Sequence, residues 1–287
     1  MSCDIINDDC ENFLKNNNNF NIDLTFFDPP FNQNKDYPTH NDNMNTKDYW
    51  DWMVRILKLI NNYTTGGGAI YFMQREKNTK FVLDALHKTN WVFQNLIIWK
   101  KKSSAVPCND RFGKHYQIIA FATKGLKARI FNKLRIDPPL LENEKIKRPN
   151  GMYVTDVWDN IRELTSGYFA GDEPLRNLNG ERLHNQQSPI KLLTRIILSS
   201  SKIGDFIFDP FCGTGTTLIV SKQLERDSIG IEIDKNYYIK IKERIENIRD
   251  IDMIDKIYND YKYTENLNEI WPKNIPEDVL TKGKYLF

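Results

Sequence analysis

Asp28-Pro29-Pro30-Phe31 sets an acid, two prolines and an aromatic ring in four consecutive residues. Proline fixes φ and donates no backbone N–H, so this stretch is stiff and its carbonyls stay free as acceptors. A carboxylate, a rigid carbonyl and a ring face in one small space suit a planar base with an exocyclic amine. The same residues also fit a plain reading, a strand stopped by proline and followed by a turn. A second constellation is Asp209-Pro210-Phe211-Cys212-Gly213-Thr214-Gly215-Thr216-Thr217. Gly213 and Gly215 remove side chains that would keep a ligand away from the backbone. Gly-x-Gly also occurs in dinucleotide folds, but the third glycine of that fingerprint is missing. Asp209, moreover, would meet a positively charged ligand better than a pyrophosphate.

These residues need strands that end where they stand. Leu24, Phe26 and Phe27 read as a buried strand leading to Asp28, and Phe206-Ile207-Phe208 as one leading to Asp209. A helix to about Leu224 follows, then a strand over Ser228 to Ile233 and a helix marked by Tyr238, Ile241, Ile245 and Ile248. That strand carries Glu232, where ribose hydroxyls sit in doubly wound folds. Ile5 to Cys10 reads as a short strand ending in the acids Asp8 and Asp9, with a short helix behind it. Thr46 is a candidate helix cap, and Tyr49, Met53, Ile56 and Ile60 fall at helical spacing. Gly66-Gly67-Gly68 ends that helix, and its fit to a phosphate cradle is weak. Ala69 to Met73, Trp91 to Trp99 and Tyr116 to Thr123 read as strands, and residues 78–88 as a helix. Pro189 suits a first helical turn after Ser188, with Leu193, Ile196 and Ile197 on the core face. The alternation predicts an α/β fold: a Rossmann-like, mostly parallel twisted sheet with helices on both faces.

The 287 residues are 40% hydrophobic and 12% aromatic, enough for one large α/β domain with an inserted element, or for two domains. The net charge is only +2, so affinity for a polyanion must come from local patches. Lys100-Lys101-Lys102, Arg111 and Lys114 lie between two of the strands. From Lys124 to Arg148 eight basic residues face three acidic ones. That stretch and the Pro/Gly-punctuated chain up to about 183 read as an insert that leaves the sheet and contacts a polyanion. Tyr153, Trp158, Tyr168 and Phe169 are candidates to stack on bases or to form the insert's own small core. Asn32 to Asn45 reads as a polar, mobile loop beside the candidate site. Four scattered cysteines and four scattered histidines lack metal-ligand spacing, so no metal is expected. Unpaired cysteines suit a reducing cytoplasm, and no apolar run is long enough to span a membrane.

With both constellations in this order, the chain resembles the β-class DNA amino-methyltransferases that use S-adenosylmethionine. In that family the Asp-Pro-Pro-aromatic motif comes first, the target-recognition segment lies in the middle and the Gly-rich cofactor motif comes last. The resemblance covers roughly residues 4–249. It implies that Asp28, Pro29, Pro30 and Phe31 carry catalysis, with Phe31 stacking on a base flipped out of the helix. It implies that Asp209, Pro210, Phe211, Gly213, Gly215, Thr216 and Thr217 form the cofactor turn, that Glu232 meets the ribose and that Asp9 meets the cofactor's adenine. Residues 1–123 and 184–249 would form the catalytic domain, and 124–183 the target-recognition insert; 250–287 has no assigned role. His184 to Pro189 is similar to the family's His-Pro-x-Gln-Lys-Pro, with Ser188 in place of the lysine. The Asp form of the first motif implies adenine N6 as the methylated amine; cytosine N4, single-stranded DNA and RNA are alternatives. The expected partners are DNA, a second copy in a homodimer and the cognate restriction endonuclease of a restriction-modification system, with no membrane.

Overall fold

The computed structural model describes residues 2–17, 20–35, 42–102, 107, 109–137, 149–164, 171–177, 179–184 and 186–272. Along the chain run β1 (Cys3–Asn7), α1 (Cys10–Asn16), β2 (Ile22–Phe27), α2 (Thr46–Tyr63), β3 (Thr64–Arg75), α3 (Thr79–Lys88), β4 (Val92–Lys100) and β5 (Tyr116–Thr123). Then come β6 (Arg135–Ile136), β7 (Met152–Tyr153), β8 (Val157–Trp158), α4 (Ile190–Ser200), β9 (Phe206–Asp209), α5 (Thr216–Gln223), β10 (Asp227–Glu232), α6 (Lys235–Glu246), α7 (Asp255–Tyr258) and α8 (Leu267–Ile270). Eight strands make one sheet in the order β1-β10-β9-β2-β3-β5-β4-β8. Only β5 runs antiparallel to its neighbours β3 and β4; the other pairings are parallel, giving a Rossmann-like α/β sheet.

Strand alternation decides which helix covers which face. Phe27, Ile70, Phe72, Ile118 and Phe208 point to the side covered by α1, α2 and α3. Leu24, Tyr71, Ile97, Ile119 and Ile207 point to the side covered by α4 and residues 254–271. Each large apolar side chain taken fully from water contributes about 1.5–3 kcal/mol, so both faces are firmly covered. The stretch from 250, irregular in sequence, is part of this core: Ile254, Ile257, Tyr261, Leu267, Ile270 and Trp271 are all buried.

The motif strands β2 and β9 lie side by side, with Leu24 opposite Ile207 and Thr25 opposite Phe208. Their N-terminal ends are pinned together. Asp23 accepts from the Phe206 N–H at 3.0 Å, and Arg129 bridges Asp23 and Asp205 at 3.1 and 2.6 Å. The connection from β2 leads to β3 on one side, and that from β9 leads to β10 on the other. A crevice therefore opens beyond the carboxyl ends of these two strands, where open α/β sheets bind ligands.

Several local expectations are corrected. Asn45 caps α2, its side chain accepting from the Lys47 N–H, and Thr46 is the first helical residue. Gly66-Gly67-Gly68 is no stop, because β3 begins at Thr64 and runs through it. There Gly67, at φ +76°, lets the backbone of Arg129 pass so closely that a Cβ would lie 2.7 Å from the Arg129 nitrogen. The loop after Phe31 is tied at both ends: buried Asp42 accepts from the N–H groups of Asn32, Gln33 and Lys35 at 2.7–3.0 Å. Residues 36–41, where the rest of that expectation falls, lie outside the described residues. So do Pro138, Pro139, Gly167, Tyr168 and Phe169.

In the stretch between 124 and 164, β6 and β7 pair with each other apart from the main sheet, while other described parts stay against it. β8 pairs with β4, and Asn132 bonds to the carbonyls of Leu198 and Ser201 at the end of α4. Three of its cations have structural partners. Lys124 donates to the carbonyls of Asn61 and Thr64, Arg129 holds the two aspartates, and Arg135 covers the Tyr153 ring at 3.9 Å. Trp158 is buried with its N–H on the Thr155 carbonyl, while Tyr153 is 47% exposed.

Candidate active site

A cleft of about 1020 Å³, counting space open to solvent, lies over the ends of β2 and β9. It brings together Asp28, Pro29 and Pro30 from one motif and Asp209, Pro210, Phe211, Gly213, Thr216 and Thr217 from the other, with Glu232 and Asp9. Two of the expected residues stand elsewhere. Phe31 is 2% exposed and packs in the core cluster of Leu24 and Tyr71. Gly215, at φ +73°, faces Ile241 of α6 and not the cleft, and a Cβ there would lie 2.5 Å from the Ile241 side chain. Its bareness serves helix packing.

On the β2 side, burial is the main cause that pushes the Asp28 carboxyl well above its ordinary value, and the Asp209 charge adds to it. The Ser188 hydroxyl donates to Asp28 at 3.3 Å and pulls the other way. The Pro30 carbonyl is not free: the Tyr49 hydroxyl donates to it at 2.7 Å and itself accepts from Gln74 at 2.9 Å. Among the described residues no hydrogen bond uses the Pro29 carbonyl, which remains an open acceptor beside Asp28. The aromatic rings that do line the cleft here are Phe26 of β2 and Trp52, the latter edge-on to Phe211 at 5.7 Å.

On the β9 side, Asp209 accepts from the Thr217 hydroxyl at 2.5 Å and the Phe211 N–H at 3.1 Å. Burial nevertheless lifts its carboxyl to about 7. Glu232 accepts from the N–H groups of Gly213 at 3.0 Å and Asp234 at 2.9 Å, and burial lifts it too to about 7. Gly213, at φ +53°, meets nothing nearer than His184 at 3.7 Å, so the backbone faces open space. Asp9 caps α1 through the Asn12 N–H, and Asp8 beside it holds the Asn12 side chain. His184 accepts the Gln186 N–H on Nδ1, which leaves its proton on Nε2; burial drops its pKa to about 4.

The lining contains Asp8, Asp9, Asp28, Asp209, Glu232 and Asp234, and neither lysine nor arginine. An acid-walled cleft with an open glycine backbone suits a cationic ligand with ribose hydroxyls and disfavours a pyrophosphate. Sulfonium-bearing S-adenosylmethionine fits: Glu232 has lone pairs left for hydroxyl donors, and a cationic ligand would draw the buried carboxyls of Asp209 and Asp28 towards their ionised forms.

Residues from the chain's end support this wall. Arg244 donates to the Thr214 carbonyl at 2.8 Å and to the Thr216 hydroxyl at 3.2 Å. Asp252, fully buried, holds both Arg244 and Arg249. Arg249 reaches the Glu173 carbonyl at 2.7 Å, and the Glu173 carboxylate caps α4 at Ile190. Trp52, Arg244 and Asp252 escaped the sequence reading. Trp52 carried no separate signal, since it falls three residues after Tyr49 and four before Ile56 and packs partly against the same core. Among the described residues no helix is long and apolar enough to cross a membrane.

A model of the N6/N4 DNA methylase family matches residues 22–243. The type II methyltransferase M.HpaI of Haemophilus parainfluenzae is 31% identical over 270 residues, spanning 94% of this chain and 79% of its own. The DNA adenine methyltransferase YhdJ of Escherichia coli is 29% identical, over 75% of this chain and 73% of its own. Among solved structures, the M1.HpyAVI–SAM complex superposes with a TM-score of 0.57 at 23% identity, covering 84% of this chain and 98% of that one. With both motifs facing one acid-walled cleft, the chain belongs to the DNA methylase family and uses S-adenosylmethionine as its methyl donor.

Proposed function

We propose that this enzyme methylates adenine N6 at a specific DNA site, as the modification half of a type II restriction-modification system. S-adenosylmethionine supplies the methyl group, carried on a positively charged sulfur. The amine-methylation reading is carried by the acceptor pair at the end of β2, the Asp28 carboxylate and the unused Pro29 carbonyl, and the Asp form of that motif favours adenine over cytosine. An aryl amine's lone pair is delocalised into its ring. Two acceptors on its N–H groups draw the nitrogen towards tetrahedral geometry and free that pair. Holding the amine in line is a further gain, corresponding in well-oriented systems to about 7–11 kcal/mol. Extruding the base costs on the order of a few kcal/mol, offset by contacts in the cleft. The names of two relatives, a type II methyltransferase and an adenine methyltransferase, support the same reading.

The test is methylation of genomic DNA in vitro, followed by mass spectrometry of the digested nucleosides and mapping of the modified positions. N6-methyladenine at one recurring sequence is expected. N4-methylcytosine would assign the other amine that the family covers, and methylation confined to RNA would overturn the reading of DNA as the substrate.

A further inference from the structure

Within the insert that the sequence points to, 124–183, the cations Lys124, Arg129 and Arg135 have structural partners. A different set of cations stands on the rim of the cleft. β2, β3 and β4 all run the same way and β5 runs against them. The end of β3, the end of β4 and the start of β5 therefore share an edge with Asp28. Arg75 and Lys77 leave β3 there, and Arg111 and Lys114 approach β5 there, where Arg75 pairs with Gln117. Among the described residues Arg75 and Lys77 make no ion pair. The pairs of the other two are long, Lys114 to half-buried Glu76 and Arg111 to exposed Asp110, both at 3.6 Å. Such pairs contribute little and open readily to a stronger anion. Lys77 is held below its ordinary value mainly by Arg75, with Lys114 and Arg111 adding to the effect. A largely exposed lysine perturbed by neighbouring cations marks positive charge without a matching counter-charge. Lys35 and Lys101 stand further in, each near enough to feel Asp28.

We propose that Arg75, Lys77, Arg111 and Lys114 form the surface that takes the backbone phosphates of duplex DNA beside the target nucleotide. This rests on the reading of the cleft as a DNA methyltransferase site. Four cations against Glu76 and Asp110 leave an excess that phosphates complete. The edge borders the acid-walled cleft, so it draws the backbone to the rim while the cleft admits the neutral base and the cationic cofactor. The rim sets where the strand lies, and the end of β2 sets which atom reacts.

Non-specific duplex binding isolates this contribution without the recognition sequence, since phosphate neutralisation makes the affinity fall with salt by a slope of about 0.9 per contact. The full chain would be titrated with a labelled random-sequence duplex across a potassium chloride series. The triple variant Arg75→Ala/Lys77→Ala/Lys114→Ala should flatten the slope by roughly 2 to 3. The double variant Lys127→Ala/Lys133→Ala should leave it unchanged. Calorimetry with S-adenosylmethionine, expected to match wild type for both, shows that the cleft is intact. An unchanged slope in the triple variant, or a larger loss in the double, overturns the assignment. Either result leaves the adenine reading standing, because that reading is decided separately by the methylated nucleoside.

Discussion

The two loops that face each other across the cleft are held in opposite ways. The turn after β9 is fixed from within and from directly behind. Asp209 takes the Thr217 hydroxyl, Glu232 takes the Gly213 N–H, and Arg244 takes the Thr214 carbonyl. The loop after β2 is fixed from outside: Tyr49 of α2 holds Pro30, Ser188 holds Asp28, and Asp42 gathers the amides beyond Phe31. The first wall has its internal contacts in place before any ligand arrives. The second borrows its geometry from three distant parts of the chain, so its chemistry should be sensitive to changes that touch neither substrate nor cofactor.

The sharpest way to separate the two walls is Asp28→Ala. It removes one of the two acceptors for the amine and nothing from the cofactor turn. Transfer should fall by at least about 10²–10³-fold, the usual cost of losing a preorganised group at the reacting centre. S-adenosylmethionine should still bind with near wild-type affinity by calorimetry. A variant that methylates at a rate close to wild type would show that the β2 wall does not do the chemistry.

Glu232→Gln should do the reverse. A hydrogen bond to a charged group contributes about 1.5–3 kcal/mol, so cofactor affinity should weaken roughly 10- to 100-fold. The rate at saturating cofactor should stay within a few fold. If kcat falls while affinity holds, the division of labour between the walls is wrong.

A third test uses pH. Burial raises Asp209 and Glu232 to about 7 from ordinary values of 3.8 and 4.5. Folding therefore favours their protonated forms. Their contribution to stability is fully present below pH 4 and is lost as pH rises through 7. The enzyme without cofactor should melt at a higher temperature at pH 5.5 than at pH 7.5, and Asp209→Asn/Glu232→Gln should flatten that difference. A cationic ligand favours the ionised pair, so cofactor should bind more weakly at pH 5.5. Tighter binding there would mean that these carboxylates do not face the sulfonium.

The contrast also explains what could be read from the sequence. The wall fixed by near neighbours was legible: Asp209, Gly213, Thr217 and Glu232 belong to a strand-turn-helix-strand run, and each strand is announced by its apolar residues. The other wall was legible only up to Pro30. That Phe31 turns into the core, that Pro30 is bonded and that Asp42 closes the loop all depend on contacts 10 to 19 residues away or across the sheet. For the same reason the structural roles of Lys124, Arg129 and Arg135 within the charge run could not be read from it, since a cation's partner is set by topology. The chain beyond 250 hid its role because its buried residues sit on turns and four-residue helices too short to show a period.

Tyr49→Phe is the smallest change that tests the borrowed geometry. The residue is 1% exposed and its hydroxyl donates to the Pro30 carbonyl of the loop. Phenylalanine keeps the ring, and so the packing of α2 on β3, but frees Pro30 and leaves the Gln74 amide without its acceptor. A neutral hydrogen bond contributes about 0.5–1.5 kcal/mol, and an orphaned buried donor costs about 1–3 kcal/mol. Stability should therefore drop by a small amount on that scale. If Tyr49 also aims the adjacent Pro29 carbonyl, kcat should fall several-fold while the affinity for S-adenosylmethionine stays unchanged. Adding Gln74→Leu, which removes the orphaned amide, should then recover stability but not kcat. Recovery of both would mean that Tyr49 merely holds α2 in place and that the loop keeps its shape through its prolines alone.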